Sequence, residues 1–489
     1  MPNAGLLATA MLAALAAPAD ERPVVLTRAD LARSYLRFEQ ALASDPAALT
    51  RDPMRLNERF DRASLAFFTG RFADSCRDLD LMALELEGRA ADPVARFARS
   101  LVLHGLPPVI VAASESGPPP LSLRLAPMWR DETEAAGSRS PGFELVVAHR
   151  SAAALRLAVT FNADGHARIE LAPDALPAVA GRLEVSLEWP GGRQPLASAT
   201  VVRASLDGAR ETLLAALATT PAPTPELAAA HASITARAAL LTDSPSPLAS
   251  AQFLADPLTL LRDVHRELAA LRAGRDPFIG RTGDLWRVLQ AGDTAVPLRI
   301  HVPPAGAPAA DAPLLPVVIA LHGAGGDENM FMDGYGAGLL CRLADARRFV
   351  AVAPQTQLFT ADPDHLARLL DELARHHPID RSRVVVVGHS MGAGAAAAMA
   401  RRHGAALAGV ACIAGGAFPT TPAAADSFAR TRLVVGLRDP IVPAQPLLRS
   451  ARAAQAAGLP ITIEEHAEFG HTLLVTHTLP AVIDWLLGG

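Results

Sequence analysis

The chain has 489 residues, 50% of them hydrophobic and 19% charged, with a formal net charge of -5. Domains run at roughly 100–200 residues, so this length exceeds one ordinary core and two to four units are expected. The apolar content excludes general disorder, and the acidic balance offers no basic face for nucleic acid.

Leu6 to Ala17 is an apolar run of the length of a signal-peptide core, and Ala14-Leu15-Ala16 and Ala17-Pro18-Ala19 both offer small-x-small cleavage sites. No Lys or Arg precedes it, so the α-amino group is the only positive charge there. The reading is a cleaved leader over 1–19 and a secreted or periplasmic product. No other stretch reaches the ~18 uninterrupted apolar residues of a membrane span.

Residues 20–106 read as helical. Thr27-Arg28-Ala29-Asp30 resembles a capping box, and Leu31, Tyr35, Leu36 and Phe38 follow at helical spacing. Phe60 to Leu86 resembles one tetratricopeptide-type helix pair with no clear second copy, which predicts a helical hairpin packed on its neighbours. Pro107-Pro108 and Pro118-Pro119-Pro120 then bracket a change to β alternation. Residues 119–205 are expected to form a small antiparallel β-sandwich of immunoglobulin-like type, with strands over Gly142–His149, Ala154–Phe161, His166–Leu171 and Arg182–Trp189. Asp164-Gly165 signals a hairpin between two of these. Trp129, Phe143, Phe161 and Trp189 fit core positions as well as a sugar-stacking platform, so a structural spacer is the expectation. Residues 206–275 return to helix, interrupted by prolines, as a connector.

From Asp276 to the C-terminus, after two leading strands at Asp284–Gln290 and Ala295–Val302, short apolar runs alternate with helical segments. They are Val317–Leu321, Phe349–Val352, Val384–Val387, Val410–Ile413, Leu433–Val435 and Ile461–Glu464. That pattern predicts a mostly parallel sheet with helices on both faces. The whole chain is thus read as multidomain, with an α/β unit over 276–489 behind helical segments and a β-sandwich.

Chemistry concentrates in this last unit. Val384-Val385-Val386-Val387 predicts a buried central strand. It runs into Gly388-His389-Ser390-Met391-Gly392 and then an Ala-rich helix closed by Arg401, Arg402 and Gly404. A serine on so sharp a strand–turn–helix needs strained backbone, and glycine two residues to either side relieves the crowding. The helix N-terminus points its dipole at a developing anion. Serine needs a base held by a third group. Asp439, just past the run Leu433–Val435, and His471 in Glu468-Phe469-Gly470-His471 stand in the order acid, then histidine, with both at strand ends. His466, beside Glu464 and Glu465, reads as a solvated neighbour. His477 reads as a capping or packing residue ahead of a helix at Leu479–Leu487, and Asp484 as surface. Leu321-His322-Gly323-Ala324-Gly325-Gly326 follows a buried strand, and its glycines let amides turn inward. The backbone N–H groups of Ala324 and Met391 are the expected oxyanion donors. His322, Gly323, Gly325, His389 and Tyr335 are expected around the substrate. Cys76, Cys341 and Cys412 are odd in number and lie in no metal-ligand spacing. No disulfide framework and no metal are expected.

On Leu321–Gly326 with Asp327-Glu328-Asn329, Gly388–Gly392, Asp439–Pro443 and Gly470-His471, the region from Asp276 to Gly489 resembles the α/β-hydrolase superfamily. It is similar to the esterase and prolyl-oligopeptidase-like branch, which includes feruloyl esterases, polyhydroxybutyrate depolymerase relatives and dienelactone-hydrolase-like proteins. The resemblance covers under half of the chain and implies ester hydrolysis through an acyl-serine, without a cofactor, on a small-molecule or polymer-derived ester. Two other readings stay open: a serine peptidase, which in that branch usually carries a β-propeller not legible here, and a scaffold with an inert hydrolase unit. The acyl and alcohol groups and the oligomeric state are not legible.

Overall fold

The computed structural model describes residues 26–112, 120–130, 142–172, 175–176, 179–220, 224–244, 256–291, 294–304, 313–419 and 428–488. The expected leader over 1–19 lies outside the described residues. No helix among them is long and apolar enough to cross a membrane.

The chain begins with helices. In α1 (Arg28–Ser44) the capping box forms: the Thr27 hydroxyl accepts from Asp30 N, and Asp30 accepts from Thr27 N at 2.7 Å. A short turn, α2 (Ala48–Arg51), leads to α3 (Pro53–Phe68), which starts with Asp52 as cap and Pro53 in its first turn. Gly70, at φ 75°, breaks the helix before α4 (Phe72–Leu86). Asp52 and Asp92 play the same part for α3 and for α5 (Pro93–Ser100), each accepting from first-turn amides.

Eight strands follow: β1 (Leu101–His104), β2 (Val109–Val111), β3 (Leu121–Pro127), β4 (Phe143–His149), β5 (Ala152–Val159), β6 (Ala167–Leu171), β7 (Gly181–Trp189) and β8 (Gly192–Val202). They make a 3-stranded sheet, β1-β3-β6, and a 5-stranded sheet, β2-β8-β7-β4-β5. Leu123 and Leu125 of the first share a core with Leu145, Leu183 and Leu187 of the second. Two expectations need correction. Helix ends at Ser100 rather than near 106, because Leu101-Val102-Leu103 pairs with β3 and Pro107-Pro108 only links β1 to β2. The Asp164-Gly165 turn does form, with Asn162 N donating to His166 O at 2.9 Å, but β5 and β6 enter different sheets and do not pair. A tight turn fixes a local reversal; which neighbour a strand pairs with is settled by burial on the far side. Phe143 and Phe161 pack edge-on at 5.4 Å and Trp129 Nε1 donates to buried Asp80 at 3.2 Å, so these aromatics serve the interior.

Helices α6 (Leu206–Ala218), α7 (Pro225–Ala238) and α8 (Pro257–Arg272) form their own cluster with Phe278. Buried Glu267 of α8 holds it together, accepting from Arg237 at 2.5 Å and Arg281 at 2.6 Å. Helix α7 runs along β9, where the Ser233 hydroxyl accepts from Val288 N at 3.2 Å and covers an otherwise open sheet edge.

The C-terminal unit runs β9 (Gly283–Ala291), β10 (Thr294–Val302), β11 (Leu315–Leu321), α9 (Leu339–Arg347), β12 (Val350–Pro354), α10 (Thr356–Ala361), α11 (Asp364–His376), β13 (Ile379–His389), α12 (Met391–Arg402), β14 (Gly409–Ile413), β15 (Thr431–Gly436), α13 (Ala444–Ala456), β16 (Ile461–His466) and α14 (Leu473–Leu487). Its 8-stranded sheet has the order β16-β15-β14-β13-β11-β12-β10-β9, parallel from β16 to β12 with an antiparallel β10 and β9 at the far edge. The order reverses around β11, opening a crevice at the carboxyl ends of β11 and β13, where ligands bind in such sheets. Both faces are buried. Val317, Ile319, Val384 and Val386 pack with α11, α12 and α13. Val318, Ala320, Val385 and Val387 share the opposite core with α9, α14 and the N-terminal Phe38, Phe60, Leu79 and Met82. The front helices are therefore part of this layer. Helix α14 begins already at Leu473, whose side chain is fully buried with those of Leu474 and Val475, so His477 lies within it rather than ahead of it.

Candidate active site

Ser390 follows β13 and caps α12 with φ 56° and ψ -117°, a strained conformation for a residue with a side chain. The strain is held by close packing. A Cβ at Gly388 would stand 2.1 Å from Gly392 O, and one at Gly392 would stand 2.1 Å from Leu321 O. Gly415, after β14, is equally confined: its Cβ would lie 2.4 Å from Ser390 O. That third glycine was not singled out from the sequence, because no motif marks it.

The turn aims the serine hydroxyl at His471. Ser390 Oγ and His471 Nε2 are 2.9 Å apart, and His471 Nδ1 is 2.6 Å from Asp439 Oδ2. The other Asp439 oxygen accepts from Ile441 N and Val442 N, both at 2.8 Å, which fixes the carboxylate after β15. Asp439 and His471 are buried, and Ser390 is half-buried at the edge of a cavity. Such a chain can move a proton from hydroxyl to imidazole while the carboxylate holds the ring and its second N–H.

The other expected residues are placed as follows. Gly323 and Ala324 line the cavity beside Ser390, and a Cβ at Gly323 would meet Ser390 Cβ at 3.1 Å. Gly325 lines it too, at φ 78°. Met391 opens α12, with its amide at the helix N-terminus. His322 does not face the cavity and is corrected here. Its Nδ1 donates to Gly323 O at 2.8 Å and its Nε2 accepts from Thr356 N at 3.0 Å, so it braces the glycine loop. Burial lowers its pKa. His389 and Tyr335 border the cavity, but their polar atoms are turned to one another. The Tyr335 hydroxyl donates to His389 Nδ1 at 2.7 Å, and His389 Nε2 donates to His471 O at 3.2 Å. Burial first and the neighbouring His471 second hold His389 well below the usual histidine pKa, which keeps this relay neutral. His466 is paired with Glu464 at 2.8 Å, His477 stacks on Phe469 at 4.1 Å, and Asp484 pairs with Arg347 at the surface.

The N-terminal helices supply the residues the sequence reading missed. Asn57 and Asp61, one turn apart on α3, accept from Gly470 N at 3.0 Å and His471 N at 3.2 Å. They hold the histidine loop from the far side. A side chain at Gly470 would push the Asp61 carboxylate aside, since its Cβ would stand 1.7 Å from Asp61 Oδ2. On α1, Glu39 accepts from the Tyr35 hydroxyl at 2.8 Å and from Gly336 N at 2.9 Å. The signal available was a polar residue at the helical spacing of an otherwise apolar face, as Asn57 and Asp61 are beside Phe60 and Ala63.

Among the described residues, the one group able to offer a metal three ligands is Asp284, His301 and Cys341. It lies at the β9–β10 edge of the sheet, and His301 is already bonded at both ring nitrogens, to Asp284 at 2.6 Å and Asp345 at 2.9 Å. Cys76, Cys341 and Cys412 are all free.

A doubly covered, mostly parallel sheet with its crevice at the carboxyl ends of β11 and β13 gives the C-terminal part of this chain an α/β-hydrolase-like fold. Residues 348–480, which hold Ser390, Asp439 and His471, match the Dienelactone hydrolase family model, and the protein is an enzyme. No curated protein matches the chain. Among solved structures, it is similar to an S-formylglutathione hydrolase from Staphylococcus aureus (14% identity, 43% of this chain and 99% of that one, TM-score 0.35). An S-formylglutathione hydrolase from Agrobacterium tumefaciens is similar over 42% of this chain and 97% of its own (18% identity, TM-score 0.34). A thermostable esterase aligns with 79% of this chain and 98% of its own (13% identity, TM-score 0.36).

Proposed function

We propose that this protein is a serine hydrolase that cleaves carboxylic esters through an acyl-serine intermediate. The observation that carries the reading is the continuous hydrogen-bonded chain Ser390–His471–Asp439 opening onto a cavity. His471 Nε2 takes the hydroxyl proton as Ser390 Oγ attacks the ester carbonyl, and Asp439 stabilises the imidazolium. The Ala324 and Met391 amides receive the oxyanion, each worth about 10²–10³ in rate. Collapse expels the alcohol, which takes the proton from His471. Water, deprotonated by the same nitrogen, then frees the acid and restores Ser390. The chemistry asks for no metal or organic cofactor.

A leader at Leu6–Ala17 accords with an extracellular or periplasmic ester as substrate. The test is hydrolysis of p-nitrophenyl butyrate beside a dipeptide anilide, with fluorophosphonate labelling of wild type and Ser390→Ala. Ester turnover, with label lost in the variant, is expected. Turnover of the anilide alone would assign a peptidase, and labelling that survives in Ser390→Ala would overturn the mechanism.

A further inference from the structure

The cavity beside Ser390, about 180 Å³, is walled on one side by the glycine loop at 323–327 and on the other by α1, α3 and α4. That second wall is apolar and in part aromatic: Leu31, Tyr35, Phe60, Ala63, Phe67 and Leu79 all line it. It reaches the glycine loop directly, for a Cβ at Gly325 would meet the Phe67 ring at 2.8 Å.

The wall is tied to the hydrolase unit along its length. Arg28 Nη2 donates to Gly325 O at 2.7 Å, Glu39 accepts from Gly336 N at 2.9 Å, and Asn57 and Asp61 hold Gly470 and His471. The same helices share the core of the central sheet. Held in this way, the wall is a fixed shape against which a substrate is measured.

Its charges are already spent. Among the described residues Arg28 is the one lysine or arginine lining the cavity, and it is engaged by Gly325 O and by Asp327 at 3.6 Å. Asp333 is paired with Arg299 at 2.8 Å. A carboxylate entering the cavity would lose water and find no unpaired cation. An aromatic ring or branched chain would find, along Leu31, Phe60, Ala63, Phe67 and Leu79, apolar surface that is better covered. The acyl part is the one that stays on Ser390 through both half-reactions, so a wall beside that serine acts on it throughout.

We propose that α1, α3 and α4 form the acyl-recognition wall of this enzyme and select uncharged esters whose acyl group is aromatic or of similar apolar bulk. This rests on the serine-hydrolase reading. The test uses full-length protein and one leaving group, p-nitrophenol, carrying acetyl, butyryl, phenylacetyl and hemisuccinyl groups. Butyryl and hemisuccinyl differ chiefly by the carboxylate. Phenylacetyl is expected to exceed acetyl in kcat/KM by at least tenfold, and hemisuccinyl to fall at least tenfold below butyryl. Phe67→Ala should cut the phenylacetyl-to-acetyl ratio several-fold, and Ser64→Lys, on the same wall, should raise the hemisuccinyl-to-butyryl ratio. Fluorophosphonate labelling is run on every protein. Labelled wild type with equal rates across the acyl series, or ratios that neither variant moves, would overturn the wall and leave the hydrolase reading standing; wild type that Ser390 does not label sinks both.

Discussion

Asp61 sits where α3 crosses the histidine loop, and its carboxyl is caught between two demands. Burial pushes its pKa up to about 6, while the His471 N–H it accepts from pulls the other way and nearby Asp439 raises it further. Asp61→Ala would leave that amide buried and unpaired, at about 1–3 kcal/mol, and would free the loop that aims the imidazole. Since small misplacements of a reacting group cost large factors, kcat is expected to fall about tenfold or more with a smaller change in KM. Asp61→Asn keeps an acceptor and should restore most of kcat. Equal losses in both variants would show that charge rather than loop placement matters. Glu39 gives a pH signature. Burial raises its pKa from 4.5 to about 7 despite bonds from Tyr35 and Gly336. The folded state therefore holds its proton more tightly than the unfolded chain does. The stability it contributes is fully present below 4.5 and is lost as pH rises through about 7. Glu39→Gln, which can keep both partners, should unfold later than wild type at pH 8 and show much less advantage at pH 5, by roughly 2–3 kcal/mol between the two. Thermal melts at the two pH values decide it.

At the scale of elements, the strand–turn–helix around Ser390 is over-determined. The four valines of β13 are almost wholly buried, and α12 packs Ala393, Ala396 and Ala397 onto the core that holds Val384 and Val386. Between them Gly388 and Gly392 allow backbone contacts that no side chain would. Gly388→Ala is expected to cost more than about 3 kcal/mol, because the obstacle is backbone and cannot rotate away; a denaturation midpoint within error of wild type would contradict the packing argument. This element was legible because its signals are local: an apolar run, a glycine-framed turn, a helix-forming stretch. The β5–β6 pairing was misread for the complementary reason. Asp164-Gly165 makes its turn, yet the two strands serve different sheets. Likewise α14 begins at Leu473, inside a stretch read as loop, because burial against the sheet outweighs the local pattern.

At the scale of the molecule, the front helices and the hydrolase sheet share one core. Phe38, Phe60, Leu79 and Met82 are no more than 3% exposed, and each is worth about 1.5–3 kcal/mol when buried. A chain starting near Asp92 would expose the partners of these side chains, including Phe331, Tyr335 and Phe469. It is expected to be insoluble or to lose cooperative unfolding, as judged by yield and calorimetry. A soluble truncated chain that melts like wild type would mean the front helices are dispensable to the fold.

The sequence by itself determined what depends on near neighbours. It carried the alternation of strands and helices after Asp276, the sharp turn at Ser390, the strand-end positions of Asp439 and His471, and the capping of α1. Periodicity and turn chemistry act over a few residues and can be read there. Only the tertiary structure decided that α3 lies across the histidine loop, that Glu39 reaches Gly336 from 297 residues away, and that His322 turns inward while Phe67 closes on Gly325. Those contacts arise because apolar faces far apart in the chain find one shared core, and a buried face states that it must be covered without saying by what.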